Sequence, residues 1–390
     1  MIEMDYDGVL SEKVRGIKPS GIRRYFAIAE EMEDVISLGV GEPDFKTPWV
    51  IRKAGMDSLA KGKTQYSANA GLSMLRSEIV RYLDRRFNLV YHPENEVLVT
   101  VGGSEAIDMC IRSVVDDGDE VLIPEPCFVC YDPIVTLSGG KSVPIPTRAE
   151  DSFRLTAQEL RDKITDRTKL LILPFPNNPT GAVMRREDLE AIAQVLRETN
   201  ILVLSDEIYA ELTYNGRHVS IASIPGMRER TVVINGFSKA YAMTGWRLGF
   251  AAGPEPVIRQ MTKVHQYAIM CAPTTSQYAA VEALKNCDDA IQMMVDEYNI
   301  RRRMLVDGFR RMGLDCFEPE GAFYVFPSIQ STGLSSEEFC EKLLHAQRVA
   351  LIPGTAFGAS GEGHVRVSYA YSLNHLAEAL KRIERFLHSL

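Results

Sequence analysis

Five short apolar, β-branched runs punctuate the first two thirds of the chain: EVLVTVG (96–102), EVLIPEP (120–126), KLLILPFP (169–176), ILVLSDE (201–207) and TVVINGF (231–237). None alternates apolar with polar, so each predicts a strand buried on both faces. Helical periodicity follows several of them, as in SEAIDMCIRSVV (104–115) and REDLEAIAQVLRET (186–199). Strand alternating with helix predicts an α/β fold with a mostly parallel sheet in a large domain over residues 49–285. After residue 285 a long charged helix (288–313), strand-like GAFYVFPS and HVRVSYA, and the intervening helix EEFCEKLLHAQ predict a smaller α+β domain over 286–390. Residues 1–48 do not fit the alternation and are assigned to an arm packing with the small domain.

Composition narrows the class. The 390 residues carry a net charge of -8 with acids and bases intermixed and no basic block, which argues against nucleic acid as a partner. The acidic start lacks the layout of a signal peptide, and no apolar run approaches the roughly 20 residues that span a bilayer, so a cytoplasmic protein without membrane contact is expected. Seven unevenly spaced cysteines suit a reducing compartment. Cys127 and Cys130 form a CxxC among prolines, without the second pair or histidines that a metal site needs, so no metal is expected.

Ligands of open parallel sheets bind beyond the carboxyl ends of the strands. Four such ends carry suggestive residues. The first strand runs into Gly103, Ser104 and Glu105 at a helix start, where free amides favour an anion such as phosphate. The third is followed by Asn177-Asn178-Pro179-Thr180-Gly181, the fourth ends on Asp206 with Tyr209 just beyond, and the fifth runs into Ser238-Lys239, with Arg247 a few residues on. Lys239 has apolar and aromatic neighbours, and a buried lysine loses charge and becomes a nucleophile or imine former. Taken singly, each end also reads as a turn, a cap or a salt-bridge partner. Together they supply what pyridoxal 5'-phosphate requires: a helix start and an arginine for the phosphate, a lysine for the aldehyde, an anion for the pyridine nitrogen and a donor for the phenolic oxygen.

With those residues in view the chain resembles a class I aminotransferase of pyridoxal-phosphate fold type I over nearly its whole length. The resemblance is carried by GIKPSGIRRYFAIAEEMEDVISLGVGEPDF, PNNPTGAV, SDEIYAELTY, SKAYAMTGWRLGF and HVRVSYA, and LTYNGRHVSIA and KVHQY are most similar to the aromatic-amino-acid and N-acetyl-diaminopimelate aminotransferase branch. It implies transfer of an amino group from an L-amino acid to a 2-oxo acid, with 2-oxoglutarate the expected acceptor and an aromatic, aspartate or diaminopimelate-type donor. Lys239 is then the imine former and proton shuttle, Asp206 the partner of the pyridine nitrogen and Tyr209 the donor to the phenolic oxygen. The amides of Gly103, Ser104 and Glu105, with Arg247, hold the phosphate, Phe128 stacks on the ring, and Asn178 bonds the phenolic oxygen beside Gly41 and the substrate carboxylate. Arg366 grips the substrate α-carboxylate, and Ile17 contributes to the side-chain pocket. Tyr66 resembles a tyrosine that reaches the phosphate of a neighbouring subunit, implying a homodimer with shared active sites. One departure stands out: many relatives have a phosphate-binding serine three residues before the lysine, where this chain has Gly236, leaving Ser238 as the nearby hydroxyl.

Three other functions draw on parts of the same pattern. A C–S or C–C lyase on the same fold shares the cofactor site. A cofactor-sensing regulator needs a DNA-binding module that the first 40 residues do not suggest, and a nicotinamide oxidoreductase needs a GxGxxG after a strand, which is absent.

Overall fold

The computed structural model describes residues 4–19, 21 and 32–390; positions 20 and 22–31, part of the first motif, lie outside the described residues. Strand β1 (Ile36–Ser37) is followed by β2 (Val97–Thr100), β3 (Glu120–Glu125), β4 (Lys141–Pro146), β5 (Thr168–Leu173), β6 (Leu202–Asp206), β7 (Thr231–Gly236) and β8 (Gly249–Ala252). The last seven form one sheet in the order β2-β8-β7-β6-β5-β3-β4. It is parallel except for β8, which runs antiparallel to both β2 and β7. The five apolar runs read from the sequence are β2, β3, β5, β6 and β7.

Alternate residues explain why these strands are apolar throughout. Leu98, Val121, Leu170, Leu204 and Val232 join Ile107, Ile111, Ile258 and Met261 from helices on one face. Val97, Val99, Leu122, Leu171, Val203 and Val233 belong to the core on the other. At roughly 25 cal/mol per Å² of apolar surface, burial on both faces is the main force holding the sheet.

Beyond the sheet, β9 (Tyr324–Val325), β10 (Val349–Ala350), β11 (Ile352–Pro353) and β12 (Val365–Ser368) follow the 24-residue helix Asp288–Arg311. Strands β11, β12 and β9 make a small antiparallel sheet. Strand β1 pairs in parallel with β10, joining the start of the chain to its last third. Arg366 projects from β12, and Leu38 accepts a backbone bond from Ser368, so Gly39 and Gly41 run alongside this strand. Among the described residues, no helix is long and apolar enough to cross a membrane.

Candidate active site

A cavity of about 630 Å³ opens beyond the carboxyl ends of β2, β6 and β7, a volume typical of small-molecule sites. It is lined by Gly41, Gly103, Ser104, Phe128, Asn178, Asp206, Tyr209, Ser238, Lys239, Arg247 and Arg366, which are most of the residues picked from the sequence. Glu105 does not line it, nor do Ile17, after the short helix Glu12–Gly16, and Tyr66, which is 80% exposed.

At the β2 end, Gly102 (φ 83°) turns the chain into the helix Gly103–Val114. First-turn amides of a helix have no acceptor within it, so Gly103 and Ser104 present free N–H groups to the cavity, next to the positive end of the dipole. The approach is tight: a Cβ on Gly102 would lie 2.7 Å from Arg247 Nη2, and one on Gly249 would lie 2.8 Å from the Gly103 nitrogen. Gly236, in β7, faces Gly249. A Cβ there would meet Gly249 Cα at 3.0 Å and the Leu248 carbonyl at 3.1 Å, so a side chain at this position would crowd the backbone of the neighbouring strand. The hydroxyl that reaches the cavity is that of Ser238.

Asp206 ends β6 almost fully buried. Burial pushes its carboxyl above the ordinary range, while bonds donated by Tyr131 Oη (2.7 Å) and the Ile208 amide (3.2 Å) pull it back toward the ionised form. Lys239 donates from Nζ to the Gly41 carbonyl at 2.5 Å. Burial drives its amine down to about 8; Glu42 in the same cavity opposes this, and Arg366 and Arg247 add to it.

Arg366 is buried, with its guanidinium carbon over two rings, 4.5 Å from the centroid of Tyr324 and 4.7 Å from that of Phe357. Its Nη1 donates to Asn178 Oδ1 at 2.9 Å and its Nη2 to the Gly39 carbonyl, while Nε has no partner among the described residues. Asn178 accepts through its oxygen and keeps its amide N–H groups free among the described residues. The Tyr209 and Tyr324 hydroxyls are 2.8 Å apart.

Tyr131 and Tyr324 were not singled out in the sequence. Tyr131 stands three residues past Phe128, just beyond the β3 end, a strand-end signal of the kind used for Asp206. Tyr324 lies inside a run of aromatics that reads as core. Cys127 and Cys130 are free, with thiols pushed up chiefly by burial and hence poor nucleophiles.

The residues fit pyridoxal phosphate: free helix-start amides with Arg247 beside them suit a phosphate, a hydrogen-bonded buried carboxylate suits a ring cation, and an amine of lowered basicity lies between. The profile of the family described as aminotransferase class I and II matches residues 33–383. The Bacillus subtilis protein YugH is 54% identical over 97% of this chain and 98% of its own length. An aspartate aminotransferase of Pyrococcus abyssi is 46% identical over 97% and 98%. The structure of an aromatic aminotransferase from Pyrococcus horikoshii superposes with a TM-score of 0.90 at 46% identity, covering 94% of this chain and 99% of that one.

Proposed function

Since this chain belongs to the class I and II aminotransferases, enzymes of pyridoxal-phosphate fold type I, we propose that it moves the amino group of an L-amino acid to 2-oxoglutarate, with Lys239 and Asp206 as its catalytic pair. The observation that carries this reading is the convergence of Lys239, Asp206, Arg366 and the amides of Gly103 and Ser104 on one cavity.

When bound, pyridoxal phosphate supplies an electron sink for the bond broken at the substrate α-carbon. The chain does the rest. Arg366, with Tyr324 and Phe357 against its guanidinium, would receive the α-carboxylate in a planar fork and so fix the face of the amino acid turned toward Lys239. The Lys239 amine would hold the cofactor and, as a free amine, would take the α-proton; basicity lowered to about 8 leaves an appreciable neutral fraction near pH 7.5. Asp206 holds the ring nitrogen in its protonated form, and Tyr209 and Asn178 donate to the phenolic oxygen. Gly103, Ser104 and Arg247 would hold the phosphate, Ser238 would add a hydroxyl, and Phe128 would cover the ring.

Names among the relatives support two donor classes, aspartate and aromatic amino acids; diaminopimelate-type donors are a third. The exposure of Tyr66 supports a role across a subunit boundary, and thus a homodimer with shared sites. The test is a half-reaction screen of donors followed by absorbance of the bound cofactor, then assay of glutamate formed from 2-oxoglutarate. Release of ammonia or sulfide without glutamate would assign the enzyme to the lyases.

A further inference from the structure

Glu105 was expected to offer only its amide. Its side chain folds back instead: one carboxylate oxygen accepts from the Val101 amide, and the other lies 2.6 Å from His265 Nδ1. A carboxylate only accepts, so Nδ1–H donates. His265 belongs to the helix Glu255–Ala268, is fully buried, and has no partner for its second ring nitrogen among the described residues. The turn from Val101 to Glu105 is thus braced from two sides, by Gly249 against the Gly102–Gly103 backbone and by His265 through Glu105.

The arrangement carries an electrostatic puzzle. A carboxylate in the first turn gains from the helix dipole, yet it stands in the turn that is to receive an anion, where like charges repel. Tying it to Val101 and His265 turns it away from the cavity, and Glu105 does not line that cavity. Resting on the cofactor site proposed above, we infer that His265 is a positioning residue for the cofactor phosphate: by holding Glu105 it fixes the amides of Gly103 and Ser104 and keeps the carboxylate off the anion. It touches neither cofactor nor substrate.

The test compares pyridoxal phosphate with pyridoxal, which lacks the phosphate, each titrated into full-length enzyme stripped of cofactor. His265→Leu should weaken pyridoxal phosphate by on the order of 10- to 150-fold, the range of one hydrogen bond to a charged group, and weaken competition by inorganic phosphate in parallel. Pyridoxal should change less than about 3-fold. His265→Asn, which puts an amide N–H near the position of Nδ1, should restore binding to within a few-fold. Should the leucine variant not fold, His265→Gln, whose amide lies one bond farther out, takes its place and should show the same phosphate-specific loss. Equal losses for the two ligands, or an asparagine variant as impaired as leucine or glutamine, would overturn the inference. Wild-type enzyme that binds pyridoxal as tightly as its phosphate would instead overturn the cofactor-site reading on which it rests.

Discussion

Tyr131→Phe removes one hydroxyl and leaves a ring of nearly the same volume, so it isolates the bond to Asp206. That bond is 2.7 Å long, buried, and received by a carboxylate that burial already biases toward the neutral form. A hydrogen bond to a charged group is worth about 1.5–3 kcal/mol, equivalent to roughly 1–2 pK units on the carboxyl. Loss of the bond pushes the Asp206 carboxyl further in the direction burial already drives it, which disfavours the ionised form that a ring cation needs, so the cost falls on cofactor binding. Affinity for pyridoxal phosphate and kcat/KM should each fall by up to about 10- to 150-fold. The sign with pH follows: the group must be ionised to bind, its pKa is raised, and the deficit is therefore largest at low pH and shrinks as pH rises through the raised value. Titrating stripped wild-type and variant enzyme with cofactor between pH 6 and 9, by absorbance, measures this. Pyridoxal and its phosphate should suffer alike, because the damage lies at the ring. A loss under 2-fold, or a deficit that grows with pH, would refute the reasoning.

Arg366→Lys keeps the charge but cannot reach Asn178 Oδ1 and the Gly39 carbonyl together while lying over two rings. It should lower kcat/KM for amino acids and oxo acids by roughly 30- to 150-fold, about 2–3 kcal/mol, with cofactor binding intact and amines lacking a carboxylate unaffected; equal losses for amines would remove it from the carboxylate site. Mixing Tyr66→Phe with Lys239→Ala subunits should yield more activity than either parent, since each heterodimer has one site free of both lesions. No gain after confirmed subunit exchange would confine Tyr66 to its own chain.

What could be read in advance followed from simple physics. Strands β2, β3, β5, β6 and β7 declare themselves because both faces are buried, and the residues at their carboxyl ends then point to one edge. Strand β4 escaped notice because KSVPIP is a half-exposed edge strand carrying two prolines, where missing amide donors are tolerated. Strand β8, GFAA, is too short and small-chained to stand out. Asp206 and Lys239 were legible as charges among apolar neighbours. Tyr131 was not, because its significance is one hydrogen bond to a residue 75 positions away. The Glu105–His265 contact spans 160 positions and follows no periodicity. Ile17, read as a pocket residue, lies outside the cavity of its own chain.

The bond from Arg366 to Gly39 joins positions 327 residues apart, which gives the site an order of assembly in time. A chain made from its amino terminus exposes everything from Gly39 to Arg247 before Arg366 exists. At about 5–20 residues per second, the 119 residues separating Arg247 from Arg366 take roughly 6–24 s to make. Throughout that interval the growing polypeptide holds the phosphate turn, Asp206 and Lys239 but no receptor for an α-carboxylate. Late in that interval, once β8 and His265 have also been made, the growing chain therefore carries its residues for the cofactor before it has its receptor for the amino acid.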